Sequence, residues 1–298
     1  MIPTTSNKNR IGVCCLLLGD NSSHFKTLQL KRTQADTNSK QKVFDVYKHN
    51  LHEFIRVLDY LSSNNISHYR ISSDMFPLAD HPEFSELWDE FCSKQYYWEP
   101  AKNAAIKYLE FGGRLSTHPD QFCVLSSART DVNDKGIKNL EYHAKMFDML
   151  GIPQSYFCPI NIHVSNGKLG DDAGYTTNTN IQKLSSSVTS RLVFETEDKS
   201  YWTYQKLSKH FPDIPITLDY HHRLINNEGE TEQEAHDACI STWKDVTPLF
   251  HYSEGKASPL DRAHSDYVTK LPDCAINVDI ELEAKQKNLA VLRLMNVK

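Results

Sequence analysis

Eight times along this chain a short run of β-forming residues gives way to a segment with helical spacing. That alternation restricts the fold more than any other feature. The runs predict strands at Ile11–Leu18, Ser67–Ile71, Arg114–Thr117, Pro159–Val164, Arg191–Glu195, Ile216–Tyr220, Leu249–Tyr252 and Ile276–Leu282. Each is short and bounded by turn residues, as strands buried on both faces of a parallel sheet are. Strands alternating with helices build a parallel sheet. Eight of them in 298 residues predict an α/β fold with a single TIM (β/α)8-type barrel. The rival is an open doubly wound sheet. No G-x-G-x-x-G follows the first run and no G-x-x-x-x-G-K-[ST] occurs, which argues against nucleotide-binding versions of that rival.

The intervening segments carry their own signals. Leu51, Phe54, Ile55, Leu58 and Leu61 share one helical face in "HNLHEFIRVLDYLSSN". "EPAKNAAIKYLEFGG" and "IKNLEYHAKMFDMLG" read as helices stopped by Gly112, Gly113 and Gly151. "TEQEAHDACISTW" opens with Thr231 as N-cap and Glu234 three residues later, a capping-box spacing. The polar stretches Thr27–Lys42 and Gly167–Asn180 read as long loops. Residues 1–9 read as a flexible tail on one domain.

Composition excludes several classes. The net charge of -5 gives no global basic field, which argues against a protein that coats nucleic acid but leaves room for a local groove. Seven cysteines with no C-x-x-C spacing read as buried, reduced thiols, hence a reducing, cytoplasmic setting. The apolar run "IGVCCLLLG" is far short of the ~20 residues needed to span a bilayer. No membrane role is expected.

Chemistry concentrates at the strand ends. His118 follows the third run, His163 lies in the fourth, and Glu195 ends the fifth. Asp219, with His221 and His222 behind it, ends the sixth. His251 is in the seventh with His264 in the loop beyond, and Glu281 and Glu283 close the eighth. A barrel brings the C-terminal ends of all its strands to one face. A single histidine is commonly structural, and Asp219 could be a turn or capping acid. Six consecutive strands ending in ionisable groups are another matter, because burying them without partners is costly. Metal ions are the economical partners. Imidazole with carboxylate and no thiolate suits Mn, Zn, Fe or Co better than the all-oxygen shells of Mg or Ca. Two or three closely spaced ions suit phosphodiester hydrolysis. A metal-dependent sugar isomerase is the competing chemistry.

The segments "YRISSDMFPLADHP" (69–82), "STHPDQF" (116–122), "IHVSNGKLGD" (162–171), "FETED" (194–198), "LDYHH" (218–222), "HYSEG" (251–255), "HSDYV" (264–268) and "DIELEAKQKNLAVLRL" (279–294) occur in this order. Together they resemble the UV damage endonuclease family from about Arg10 onward. The resemblance implies a TIM barrel, related to endonuclease IV, that nicks damaged double-stranded DNA on the 5′ side of UV photoproducts. It implies two to three divalent ions, manganese foremost, with Zn, Co or Mg as alternatives. It places one ion on His118, His163 and Glu195. Glu195 bridges to a second ion on Asp219, His251 and Glu283, and a third uses His222 and His264. Glu195, His118, Asp219 and Glu283 are the catalytic candidates. His221 is expected to point away or to pack behind the ligands. Gln121 and Phe122 match a lesion-probing pair, an amide and a ring able to enter the gap left by extruded bases. Lys31 and Arg32, with Lys26, Lys40 and Lys42, are candidate phosphate contacts. A monomer with no obligate protein partner is expected.

This chain departs from the family pattern in places. Leu249 stands where a lysine beside the third ion is usual. Val13 and Leu17 replace a tyrosine and an asparagine of the active site, and "FETED" replaces L-E-N-D-D while keeping Glu195. These departures motivate a further alternative, a lesion-binding homologue with reduced catalysis.

Overall fold

The computed structural model describes residues 9–199 and 201–296; of the expected tail, residues 1–8 lie outside these. Among the described residues, eight parallel strands form one sheet: β1 (Ile11–Cys14), β2 (His68–Ile71), β3 (Arg114–Thr117), β4 (Ile160–Ile162), β5 (Leu192–Glu195), β6 (Ile216–Thr217), β7 (Leu249–Tyr252) and β8 (Asp279–Leu282). Their order is β6-β5-β4-β3-β2-β1-β8-β7. β1 therefore sits between β2 and β8, with Gly12 opposite both His68 and Glu281. The two ends of the sheet meet through a parallel bridge between Asp219 and His251, where His251 N–H donates to the Leu218 carbonyl at 3.0 Å. The barrel expected from the alternation is the fold found.

Several predicted strands are shorter in fact, for backbone reasons that hydrophobicity does not report. Cys15 has φ +63° and ends β1 well before Leu18. Asn277 at φ +62° precedes β8, which begins at Asp279 rather than Ile276. β6 stops at Thr217 because the Asp219 carboxylate accepts from His222 N–H and caps a helix at Tyr220–Ile225.

Both expected long loops are corrected. Thr27–Lys42 contains a helix at Leu30–Gln34 and the start of the long helix Ser39–Ser63. Gly167–Asn180 contains a 3-10 turn at Gly167–Leu169 and a helix at Asp171–Ile181. The second helix buries Ala173, Gly174, Thr177 and Asn180. A face built of small and polar residues gives no hydrophobic periodicity to detect. The Thr231–Glu234 capping box forms as expected.

Strand alternation sends apolar residues outward and polar ones inward. Tyr69, Leu115, Ile160, Phe194, Ile216, Phe250 and Ile280 join two apolar clusters that include residues of the surrounding helices. The barrel interior is instead stacked with paired charges. At the N-terminal end Arg114 Nη1 and Arg10 Nη1 reach Asp279 Oδ2 at 2.9 and 3.2 Å. One layer higher, Ser116 Oγ donates to Glu281 Oε2 at 2.7 Å and His68 Nε2 lies 3.0 Å from the same hydroxyl. Gly12 leaves room for this layer, since a Cβ there would fall 1.9 Å from His68 Nδ1. Buried charges are tolerated only when so paired; removing one partner of such a pair costs about 3–5 kcal/mol. The polar stack leads up to the C-terminal mouth.

Candidate metal centre

At the mouth, three groups of side chains bring one ligand atom each within 4.8 Å of the others: His118, His163 and Glu195; Glu195, Asp219 and His222; and Asp219, His251 and Glu283. Glu195 and Asp219 are shared between groups. The residues arrive from six strands, β3 to β8, and from the turns just beyond them, because parallel strands all end on one face. Glu195 is the hub: Oε2 lies 2.9 Å from His118 Nε2, 3.1 Å from His251 Nδ1 and 3.9 Å from His163 Nε2, and Oε1 lies 3.3 Å from His222 Nδ1.

Two observations fit these residues to divalent ions. The first is Asp219 Oδ2, a buried carboxylate oxygen with no hydrogen-bond partner, on a residue that two of the groups share. Buried polar atoms are nearly always satisfied, so an orphan at this spot indicates an absent partner. The second is how the imidazoles are held. His118 Nδ1 donates to the Pro119 carbonyl at 2.8 Å, His222 Nδ1 to Thr196 O at 2.8 Å and His264 Nδ1 to Glu283 O at 2.9 Å. A backbone acceptor on Nδ1 fixes the ring orientation and reserves Nε2 for another partner, as in metal-ligating histidines. The donors are imidazoles and carboxylates, which suit borderline divalent ions.

The electrostatics are those of a cation site. Burial alone would raise the Glu195 carboxyl, but His251, His163 and His118 hold it well below the usual carboxylate range. Burial would also raise Glu283, which Arg70 and His251 instead keep far down. Burial disfavours charge on His222, yet Asp219, Glu195 and Glu283 outweigh it and raise the imidazole to about 9. His251, against the same penalty, is raised to about 10 by Glu195, Glu281 and Glu283.

The remaining expected residues fall as follows. His264 belongs to none of these groups. Its ring lies 5.8 Å from that of His221, and its Nδ1 is 3.7 Å from Glu283 Oε2. His221 is buried behind the ligands with Nδ1 3.1 Å from Ser253 Oγ. Gln121 and Phe122 stand on the turn after His118, with the Phe122 ring 75% exposed and its N–H held by Asp120 Oδ1 at 2.7 Å. Lys31 and Arg32 are exposed on the Leu30–Gln34 helix, in the connection that follows β1. Two contributors escaped the sequence reading. Asn161 Nδ2 donates to Glu195 Oε2 at 2.7 Å, and Arg70 Nη1 contacts Glu283 Oε1 at 2.5 Å. The period of two in β2 and β4 carried the signal, since Arg70 alternates with His68 and Asn161 with His163.

The pattern of the family described as "UV-endonuclease UvdE" matches residues 9–298. The chain belongs to the UvdE family. It is 33% identical to the UV DNA damage endonuclease of Bacillus cereus (strain Q1) over 279 residues, 86% of this chain and 83% of that protein. It is 34% identical to that of Bacillus cereus (strain 03BB102) over 278 residues, with the same shares covered. The crystal structure of SacUVDE superposes with a TM-score of 0.86 at 28% identity, covering 97% of this chain and 98% of that one. A putative xylose isomerase from Rhodospirillum rubrum, 11% identical with a TM-score of 0.55 over 81% of this chain and 90% of that one, shares the fold alone.

Within the UvdE frame, the departures noted in the sequence can be located. Val13 and Leu17 are buried in the larger apolar cluster. Leu249 is fully buried two residues before His251, on the same side of β7, and brings no donor atom. All seven cysteines are free, as expected; five are buried, whereas Cys15 and Cys274 are partly exposed. No described helix is long and apolar enough to cross a membrane.

Proposed function

We propose that this chain is a metal-dependent DNA repair endonuclease that nicks the backbone 5′ of UV photoproducts, leaving a 3′-hydroxyl and a 5′-phosphate. The observation that carries the reading is the set of donor groups sharing Glu195 and Asp219 at the mouth of a UvdE barrel. His118, His163 and Glu195 would hold one ion; Asp219, His251 and Glu283, with Glu195, would hold another; His222 and His264 would serve a third. Manganese suits this donor set, as do zinc and cobalt. Bound divalent ions lower the pKa of a coordinated water and stabilise the attacking and leaving oxygens of a phosphodiester.

The chain's own side chains supply the rest. Glu195 spans two ligand groups and so fixes their spacing. Asn161 holds Glu195 Oε2 by a hydrogen bond. The carbonyls of Pro119 and Thr196 accept from Nδ1 of His118 and His222 and fix the orientation of both rings. Phe122, exposed beside His118, enters the helix stack where damaged bases are displaced, and Gln121 offers an amide to their edges. Lys31 and Arg32 contact phosphates flanking the lesion. Seven free thiols suit a reducing compartment, and the chain acts as a monomer with damaged duplex DNA as its partner.

The test is direct. Purified protein with Mn2+ and an end-labelled duplex carrying one photodimer should give a nick on its 5′ side with a ligatable 3′-hydroxyl. Retention of the duplex without a nick would identify a lesion binder instead.

A further inference from the structure

Beside the three donor groups lies a fourth that the proposed function does not use. Cys14 Sγ and carboxylate oxygens of Glu281 and Glu283 come within 4.8 Å of one another. A thiol with two carboxylates is a competent set for a borderline divalent ion. The protein fills this place itself. Arg70 Nη1 stands 2.6 Å from Glu281 Oε1 and 2.5 Å from Glu283 Oε1. An ion taking the same oxygens at about 2.0–2.2 Å would have to displace the guanidinium.

We propose that Arg70 is a positioning residue, a fixed cation that closes the Cys14–Glu281–Glu283 set to metal and turns Glu283 toward Asp219 and His251. The inference rests on the metal-centre reading above. An arginine suits the task because it stays protonated at any working pH. Glu281 is committed to the protein on both oxygens, to Arg70 through Oε1 and to Ser116 Oγ through Oε2 at 2.7 Å. Glu283 is committed on one only; its Oε2 pairs with the His264 imidazole at 3.7 Å. The oxygen Arg70 holds, Oε1, is also the one that faces His251, 3.6 Å from its Nδ1, so the guanidinium fixes the carboxylate beside the Asp219 group. Cys14 is occupied too, its thiol donating to the Leu282 carbonyl at 3.3 Å.

Cobalt titration of the metal-free protein tests this, because a thiolate ligand adds a near-ultraviolet charge-transfer band. In the native protein, Cys14→Ser should change neither the spectrum nor the number of ions bound. Arg70→Met should bind one more Co2+ per chain and gain the band, and Arg70→Met with Cys14→Ser should lose both. Arg70→Lys, which keeps the cation, should resemble the native protein. A Cys14-dependent band in the native protein would overturn the proposal, as would a folded Arg70→Met that gains no ion. Should Arg70→Met not fold, the native and Cys14→Ser comparison still decides. A native protein that binds no cobalt at all would instead sink the metal centre.

Discussion

Asp219 and His251 form the bridge at which the sheet closes into a barrel, and the same two side chains share a donor group with Glu283. β6 is only two residues long, so little else ties it to β7. A ligand that engages both residues therefore joins the seam. Saturation at about 100 times Kd adds ~2.7 kcal/mol of stability, which for a chain of this size is a rise of about 5 °C or more in Tm. Mn2+ should produce that rise, and chelation should speed hydrogen exchange at the His251 amide. An unchanged Tm would separate the seam from the metal centre.

The raised pKa values of His222, about 9, and His251, about 10, set a sign for metal affinity. Both imidazoles carry protons at pH 7 in the metal-free protein and must lose them to become ligands. Apparent affinity should rise with pH up to about 9–10, and loading at pH 7 should release protons into the buffer. Calorimetric titration in two buffers of different ionisation enthalpy measures that release. Identical heats would contradict the charge arrangement.

Phe122→Ala removes an exposed ring and should leave folding and metal content intact. Stacking of a base on an aromatic is worth about 1–3 kcal/mol. Binding to photodimer duplex should weaken about five- to a hundredfold, while binding to undamaged duplex changes little. Competition binding with the two duplexes checks it; equal losses on both would make Phe122 a general contact.

Lys31 and Arg32 lie on an exposed helix after β1. If each neutralises one phosphate, Lys31→Ala with Arg32→Ala should reduce the slope of log affinity against log salt by about 1.8. A slope equal to that of the native protein would place the DNA path elsewhere.

Much of this centre was readable in the sequence because a parallel barrel gathers strand ends whatever their separation. The strand count and the alternation brought His118, His163, Glu195, Asp219, His251 and Glu283 to one face together with His221, His222, His264 and Glu281; the choice among them came from the family resemblance. The choice between His221 and His222 needed more. Asp219 caps the following helix, which carries His222 back over Glu195 and leaves His221 against Ser253. The period of two puts Arg70 on the side of His68 and Asn161 on the side of His163, but what each meets depends on strand register, which sets Arg70 opposite Cys14 and Asn161 beside Glu195. The helix Asp171–Ile181 was missed because its buried face is small and polar. The early end of β1 was missed because a positive φ at Cys15 leaves no trace in hydrophobicity.

Glu195→Gln is the substitution on which the metal-centre account turns. It keeps the shape of the side chain and removes the charge shared by two donor groups. The loss of several kcal/mol of transition-state stabilisation is about a thousandfold or more in rate. Nicking of a photodimer duplex should fall by that factor, bound Mn2+ per chain should drop, and the circular dichroism spectrum should be unchanged. Near-native nicking by a folded Glu195→Gln protein would contradict the account.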